Sequence, residues 1–359
     1  MKIAAAAIIY GKEGHHIDHL APLCHILDIP LIVTDEEIEV LIKTYYPPIE
    51  VIQIDTSHIA VEFTKRFDVA FSCMPRPLFE EIFFFAEHFL RKKVMSIWCP
   101  HGNSDKGHKV PSMEGLKRES FALIYGPRMK HFLIDKGAFS NLQGHVQMGN
   151  MRLEFYEKQK EFYTYFTDKF ACDGPQILFA PTWEDAEDSS SLFAAASILI
   201  ENLPKPYRLI IKPHPNLFRQ QEAKLLWLMG KYEHLPHVLF IENFPPIYPL
   251  IHQADIYIGD MSSVGYDFLS YNRPMFFLNQ NKRSLQDPGL HLYKCGVAIS
   301  PEDYPRIYDI MREHLLQDQT PFKEVRARLY QETFGQKKSL GVLKEEMNSL
   351  CVQAIEHMI

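Results

Sequence analysis

The sequence predicts an α/β protein made of two parallel-sheet domains. Three observations carry that reading. Short apolar runs alternate with amphipathic stretches of helix length, the order that buries a parallel sheet beneath helices on both faces. The alternation occurs twice, on either side of a polar, aromatic stretch at 154–174. Finally, 359 residues exceed one typical core and suit two domains of ordinary size.

In the first half, strands are expected at 2–9, 30–34, 50–54, 68–73, 94–99, 121–125 and 145–148, with helices such as 17–27, 57–66, 78–92 and 127–136 between them. The opening run to Tyr10 has one Lys, a short apolar core and no cleavage signal, so it reads as a buried strand and not a signal peptide. A connector follows, with Gly149-x-x-Arg152, a helix from Glu154 to Phe170, and a turn from Cys172 to Pro175. The second half predicts strands at 176–180, 207–212, 237–241, 255–259 and 274–278, and helices near 190–202, 218–230, 246–252 and 263–271. The tail from Pro301 is largely helical. The expected domains are therefore 1–153, a linker at 154–174, 175–335, and a C-terminal helix at 336–359 with the option of packing on the first domain.

Composition excludes several function classes. A hydrophobic fraction of 46% with 23% charged residues belongs to a soluble globular chain, and a net charge of −7 without a Lys/Arg-rich run argues against a nucleic-acid partner. Cysteines 24, 73, 99, 172, 295 and 351 are scattered without a CxxC pair, which suits free thiols in a reducing cytoplasm. No stretch reaches the roughly 18 apolar residues of a membrane span. The run Ile82–Ala86 reads as a helix's buried stripe and leaves only a peripheral contact open.

Ligands of parallel sheets collect at the carboxyl ends of the strands, so the loops there carry the chemistry. Ile256 to Ser270 reads as a strand, a polar turn and a helix capped by Ser262 or Ser263. Free amides and two hydroxyls at that turn favour an anionic oxygen, and Asp267 one turn on suits a sugar or glycerol hydroxyl. The strand before it ends at Gly259-Asp260. His101-Gly102-Asn103 follows the fifth strand, with Lys106 able to neutralise phosphate and His101 suited to proton transfer near neutral pH. Thr182 and Trp183 leave the first strand of the second domain. Lys212-Pro213-His214-Pro215 ends the next, where the prolines restrict the backbone around a Lys and His that suit a diphosphate. Each loop alone also has a structural reading, as a capped turn or a packed aromatic; the set is what points to a site. His15, His16 and His19 lie close in sequence but lack a recognisable metal-ligand spacing, and no metal is expected.

These loops, in this order, resemble the CDP-glycerol glycerophosphotransferases of the teichoic-acid polymerase and primase type. The matching pieces span roughly 94–280: His101-Gly102 with Lys106, Gly149-x-x-Arg152, Pro181-Thr182-Trp183, Lys212-Pro213-His214-Pro215, Asp260-x-Ser262-Ser263-x-x-x-Asp267 and Arg273-Pro274. The resemblance implies a GT-B fold with two Rossmann-like domains, the first for an acceptor and the second for a nucleotide donor. It implies a metal-independent transfer without a cofactor. By position, His101 would be the base that activates an acceptor hydroxyl, and His214 would contact or protonate the donor diphosphate. Lys212, Thr182, Asp260, Ser262, Ser263 and Asp267 would complete the donor set. Gly102, Asn103, Lys106 and Arg152 would serve the acceptor or a phosphate. Asn103 stands where the family usually has Thr, and Glu184 where it usually has Arg.

The expected partners are a nucleotide-diphosphate donor and a glycan or polyol-phosphate acceptor, lipid-linked in one version. The product would be a surface glycoconjugate of the cell envelope, made in the cytoplasm or at the inner face of the membrane. In this reading the imidazoles of His101 and His214 and the hydroxyls of Ser262 and Ser263 line one crevice. Three alternatives stay open: a UDP-sugar 2-epimerase using Glu184 or Asp185, an NDP-sugar glycosyltransferase of GT-B fold, and a degenerate, non-catalytic nucleotide-binding protein.

Overall fold

The computed structural model describes residues 3–107, 114–170, 173–287, 289–317 and 319–357. Cys172 and the first two residues of the chain lie outside the described residues. The chain divides into two compact units: Met1–Gly102, Ser112–Gln159 and Glu332–Ile359 form the first, and Asn103–Pro111 and Lys160–Gln331 the second.

The first unit holds seven strands: β1 (Ala5–Ile9), β2 (Leu31–Val33), β3 (Val51–Gln53), β4 (Val69–Ser72), β5 (Met95–Trp98), β6 (Phe121–Ile124) and β7 (Gly144–Gln147). They lie in the order β3-β2-β1-β4-β5-β6-β7, and every pairing is parallel. All five residues of β1 and all four of β4 and β6 are buried. A strand covered by helices on both faces needs an unbroken apolar run, which is why these segments do not alternate.

The second unit repeats the plan with β8 (Gln176–Phe179), β9 (Arg208–Ile211), β10 (Val238–Phe240), β11 (Ile256–Gly259), β12 (Met275–Leu278) and β13 (Val297–Ile299), in the order β10-β9-β8-β11-β12-β13. These pairings are parallel too. The two parallel sheets expected from the alternation are both present. β13 was not among the expected strands: three residues are too few to establish a pattern, and only pairing with β12 defines it.

Strand order reverses between β1 and β4 in one sheet and between β8 and β11 in the other. Chain connections diverge to opposite faces there and leave a crevice beyond the strand ends. The His15–His16 segment follows β1, and the serine turn follows β11, so both lie at switch points.

Two helices differ from expectation. The segment expected at 218–230 is split into Pro215–Gln220 and Glu222–Tyr232, broken at Gln221 by non-helical dihedrals. The helix expected from Glu154 to Phe170 is broken at Gln159 into Met151–Lys158 and Lys160–Thr167, followed by a 3-10 turn. After the second sheet, helix Leu340–Glu356 joins the first unit. It is capped by Ser339, whose side chain accepts from the Val342 amide at 3.3 Å, and it buries Leu343, Met347, Leu350, Cys351 and Ala354. That spacing of three and four residues forms one apolar stripe. Cys24, Cys73, Cys99, Cys295 and Cys351 are free, buried thiols.

Candidate functional site

In the second unit, the loops after β8 and β11 are joined by one carboxylate. Asp260 Oδ1 accepts from the Thr182 amide at 2.8 Å, and Oδ2 accepts from the Ser191 amide at 2.9 Å and its hydroxyl at 2.8 Å. Asp260 is fully buried. Burial pushes its pKa up to about 6, although the three hydrogen bonds and the charge of Lys106 pull the other way. Both oxygens are engaged within the unit, so Asp260, expected in the donor set, holds the two loops together.

Backbone shape at this strand end depends on a glycine. A Cβ at Gly259 would overlap the Tyr257 hydroxyl, which passes across it to donate to the Ala180 carbonyl at 3.4 Å. Ser262 is the N-cap of the short helix Ser263–Phe268, its hydroxyl accepting from the Val264 amide at 3.4 Å. Ser262 is buried and Ser263 half-buried. Asp267 is also buried, and accepts from the Tyr248 hydroxyl at 3.3 Å.

Lys106 belongs to this unit as well. Its Nζ donates to Thr182 Oγ1 at 2.6 Å, pairs with Asp185 Oδ2 at 2.9 Å, and lies 5.8 Å from the centroid of the Trp183 ring. Trp183 in turn packs 6.2 Å from the His214 ring. The Asn216 amide donates to His214 Nδ1 at 3.1 Å, which places the imidazole proton of the neutral ring on Nε2. The structure thus brings Lys106, Thr182, Trp183 and His214 into one chain of contacts, with the serine turn joined to it through Asp260. Lys212 continues the pairing of β9 with β8, its amide donating to the Phe179 carbonyl at 2.8 Å.

Asp105, next to Lys106, anchors that segment. It is completely buried and accepts from the Tyr266 hydroxyl and, at 2.8 Å each, from the amides of His291 and Leu292. The Gly107 amide donates to Glu187 Oε1 at 2.6 Å. Sequence reasoning did not assign Asp105 a role, because its partners lie more than 150 residues downstream. Asp185 is half-buried, which would raise its pKa, but the Lys106 charge and hydrogen bonds from Ser189, Lys106 and the Glu187 amide hold it below the usual carboxylate range. Glu184 Oε2 is engaged by Gln221 Nε2 at 2.7 Å.

The first unit groups a second set. His15, His16 and His101 have potential ligand nitrogens that all lie within 4.8 Å of one another, and among the described residues this is the group with spacing for a metal ion. Of the three histidines close in sequence, His15 and His16 join His101 and His19 does not. His19 Nδ1 instead lies 2.7 Å from the Tyr125 hydroxyl, and burial, then the charges of Arg152 and the other three histidines, hold its pKa well below normal. His101 is exposed, and Gly102 has φ of +128°, which a side chain would strain. Asn103 is buried and belongs to the second unit.

Arg152 is held within the first unit. Expected to serve the acceptor or a phosphate, it is only 4% exposed, and its Nη1 pairs with Asp18 Oδ2 at 2.8 Å while the Tyr46 hydroxyl donates to Asp18 Oδ1 at 2.6 Å. A buried cation matched to a buried anion holds helix Met151–Lys158 to helix Ile17–Leu27.

Two parallel sheets with these strand orders define the class: a GT-B-like fold. Among solved structures, the chain is similar to the wall teichoic acid polymerase TagF, with a TM-score of 0.68 and 13% identity over 99% of this chain and 90% of that one. It is similar also to a UDP co-structure of MnaA from S. aureus, with a TM-score of 0.63 and 13% identity over 99% of this chain and 97% of that one. More particularly, residues 159–287 match the family described as CDP-glycerol:poly(glycerophosphate) glycerophosphotransferase. A teichoic acid glycerol-phosphate primase of Bacillus subtilis (strain 168) is 30% identical over 145 residues, 37% of this chain. The match spans 36% of that curated relative's length. The resemblance drawn from the loops is thus borne out. The matched family segment begins beyond His101 and contains Thr182, Lys212, His214 and the serine turn.

Proposed function

We propose that the chain is a transferase that takes a glycerophosphate group from a CDP-glycerol-like donor and passes it to a polyol-phosphate or glycan acceptor of a surface glycoconjugate. The observation that carries this reading is the chain of contacts from Lys106 to Thr182 beside the β8/β11 switch point and through Trp183 to His214 at the end of β9, inside a unit most of which matches the glycerophosphotransferase family.

In this mechanism an acceptor hydroxyl oxygen bonds to the phosphorus bearing the glycerol, and the bond from that phosphorus to the bridging oxygen breaks. The nucleoside monophosphate leaves with the electron pair. Charge accumulates on phosphate oxygens, where Lys106, Lys212, the hydroxyls of Ser262 and Ser263, and the Nε2 proton of His214 stabilise it. His101, with Gly102 and Asn103 beside it in the chain, is proposed as the base for the hydroxyl proton; Asp267 serves the donor's polyol. An acceptor carried on lipid would bring the enzyme to the cytoplasmic face of the membrane.

Incubating the protein with CDP-glycerol and a panel of NDP-sugars tests the reading. Release of CMP from CDP-glycerol supports it. Turnover of NDP-sugars alone favours a glycosyltransferase, isomerised sugar an epimerase, and binding without turnover a non-catalytic role. Failure of a folded protein to bind any of them sinks it. His214→Ala is expected to lower turnover by about 10²–10⁴-fold. Its loss as the N-cap of helix Pro215–Gln220 costs only about 1 kcal/mol. Unchanged turnover in that variant removes His214 from the mechanism.

A further inference from the structure

The loops after β1 and β5 bring three histidines to one point of the first unit. His15 and His16 close a 3-10 turn, Gly14–His16, between β1 and helix Ile17–Leu27, and His101 stands three residues past the end of β5. Ring centroids are 4.2 Å apart for His15 and His16, 5.0 Å for His16 and His101, and 5.5 Å for His15 and His101. The ring planes meet at 54° to 73°, tilted or edge-on and not stacked, as ligands converging on one ion must be. Each ring offers a nitrogen within 4.8 Å of the other two. Tetrahedral zinc with bonds of about 2.0–2.1 Å sets its ligand nitrogens about 3.3 Å apart, so small side-chain rotations complete the set.

The surroundings hold the cluster in place. The His16 amide donates to the Glu13 carbonyl at 2.9 Å, and the helix that follows is pinned by the pair of Asp18 with Arg152. On that helix, His19 Nδ1 lies 2.7 Å from the Tyr125 hydroxyl, which is also 3.3 Å from the Pro100 carbonyl beside His101. One phenol thus ties together the two segments that supply the ligands. Glu13 Oε2 lies 3.4 Å from His15 Nδ1, where a carboxylate orients the imidazole and offsets an ion's charge. His16 is buried, His15 half-buried and His101 exposed. The cluster therefore has a floor and an open side, which gives an ion a way in and leaves its fourth position to water or another oxygen.

We propose that His15, His16 and His101 bind one zinc-class divalent ion, and that the bound ion occupies the His101 lone pair needed for proton transfer and so stops the acceptor reaction. Neutral imidazoles select Zn²⁺, Co²⁺ or Ni²⁺ over Mg²⁺ and Ca²⁺, which take oxygen ligands. A ring bound to metal through one nitrogen keeps its proton on the other and has no basic lone pair left. The site stands on geometry alone; its effect on transfer rests on the role given to His101 above.

Calorimetric titration of the full chain with Zn²⁺, and visible absorption of the Co²⁺-loaded protein, test the site. A single ion is expected to bind, with the intense visible bands of tetrahedral Co²⁺, and Mg²⁺ is expected not to compete. His15→Ala should weaken Zn²⁺ binding by more than about 100-fold and Glu13→Gln by about 10–100-fold, each with the thermal unfolding of the metal-free wild type. With a water-soluble acceptor, CMP release from CDP-glycerol should fall in wild type as Zn²⁺ fills the site and persist in His15→Ala at the same Zn²⁺ concentration. Absence of Zn²⁺ binding, or binding that His15→Ala retains, overturns the site. Binding that leaves CMP release unchanged or speeds it overturns the inhibition. Zn²⁺ binding by a chain that releases no CMP with or without the ion removes the transferase reading and keeps the site; CMP release without Zn²⁺ binding does the reverse.

Discussion

At the scale of single residues, two buried charges decide how the functional loops are held. Asp260 links the loops after β8 and β11 through hydrogen bonds to Thr182 and Ser191. Replacing it with Asn sets an NH₂ group against donors and costs about 1–3 kcal/mol near neutral pH. The pH dependence has a definite sign. Because burial raises the folded-state pKa of Asp260 to about 6, its contribution to stability is complete below the unfolded carboxylate's pKa, about 4, and is lost as pH rises through 6. Denaturant unfolding of both proteins should therefore show the advantage of wild type over Asp260→Asn shrinking between about pH 4 and 6; a constant difference would contradict this assignment. Arg152 makes the opposite kind of test. Arg152→Met leaves the buried Asp18 without its counter-charge and is expected to cost about 3–5 kcal/mol. Donor affinity, measured by calorimetry on the folded fraction, should stay as in wild type; a selective loss of phosphate affinity without destabilisation would restore Arg152 to the site.

Among the elements, those built on long or fully apolar runs were readable from local pattern, and those built on tertiary pairing were not. β1, β4 and β6 are buried throughout and stand out as apolar segments. The serine turn was readable too, because a capping hydroxyl after an apolar strand is a local device, and Ser262 serves as that cap. β13 has three residues, and its assignment rests on hydrogen bonds to β12. The break at Gln221 likewise leaves no mark in hydrophobic period. Helix Leu340–Glu356 shows what an element contributes after joining the first unit. Met347 is fully buried on its apolar stripe, and Met347→Ala should destabilise the protein by about 2–5 kcal/mol, followed by denaturant unfolding. A change within about 0.5 kcal/mol would show that the stripe contributes little packing.

Across the whole molecule, each unit has its own sheet and its own buried core. The family match at 159–287 lies almost wholly in the second unit, while helix Leu340–Glu356 belongs to the first. A donor that binds the second unit should therefore raise the unfolding temperature of whichever calorimetric transition Met347→Ala leaves unshifted. The class of fold, the two rounds of strand–helix alternation and the capped turn after β11 were legible in the chain alone, because burial period and capping are encoded within a few neighbouring residues. Which side chains meet is set by the folded arrangement of the strands. Lys106 reaches Thr182 and Asp185, Asp105 reaches the amides of His291 and Leu292, and Arg152 meets Asp18. Partners separated by 76 to 187 positions are set by the order of strands in a sheet, and no local window of sequence carries that order.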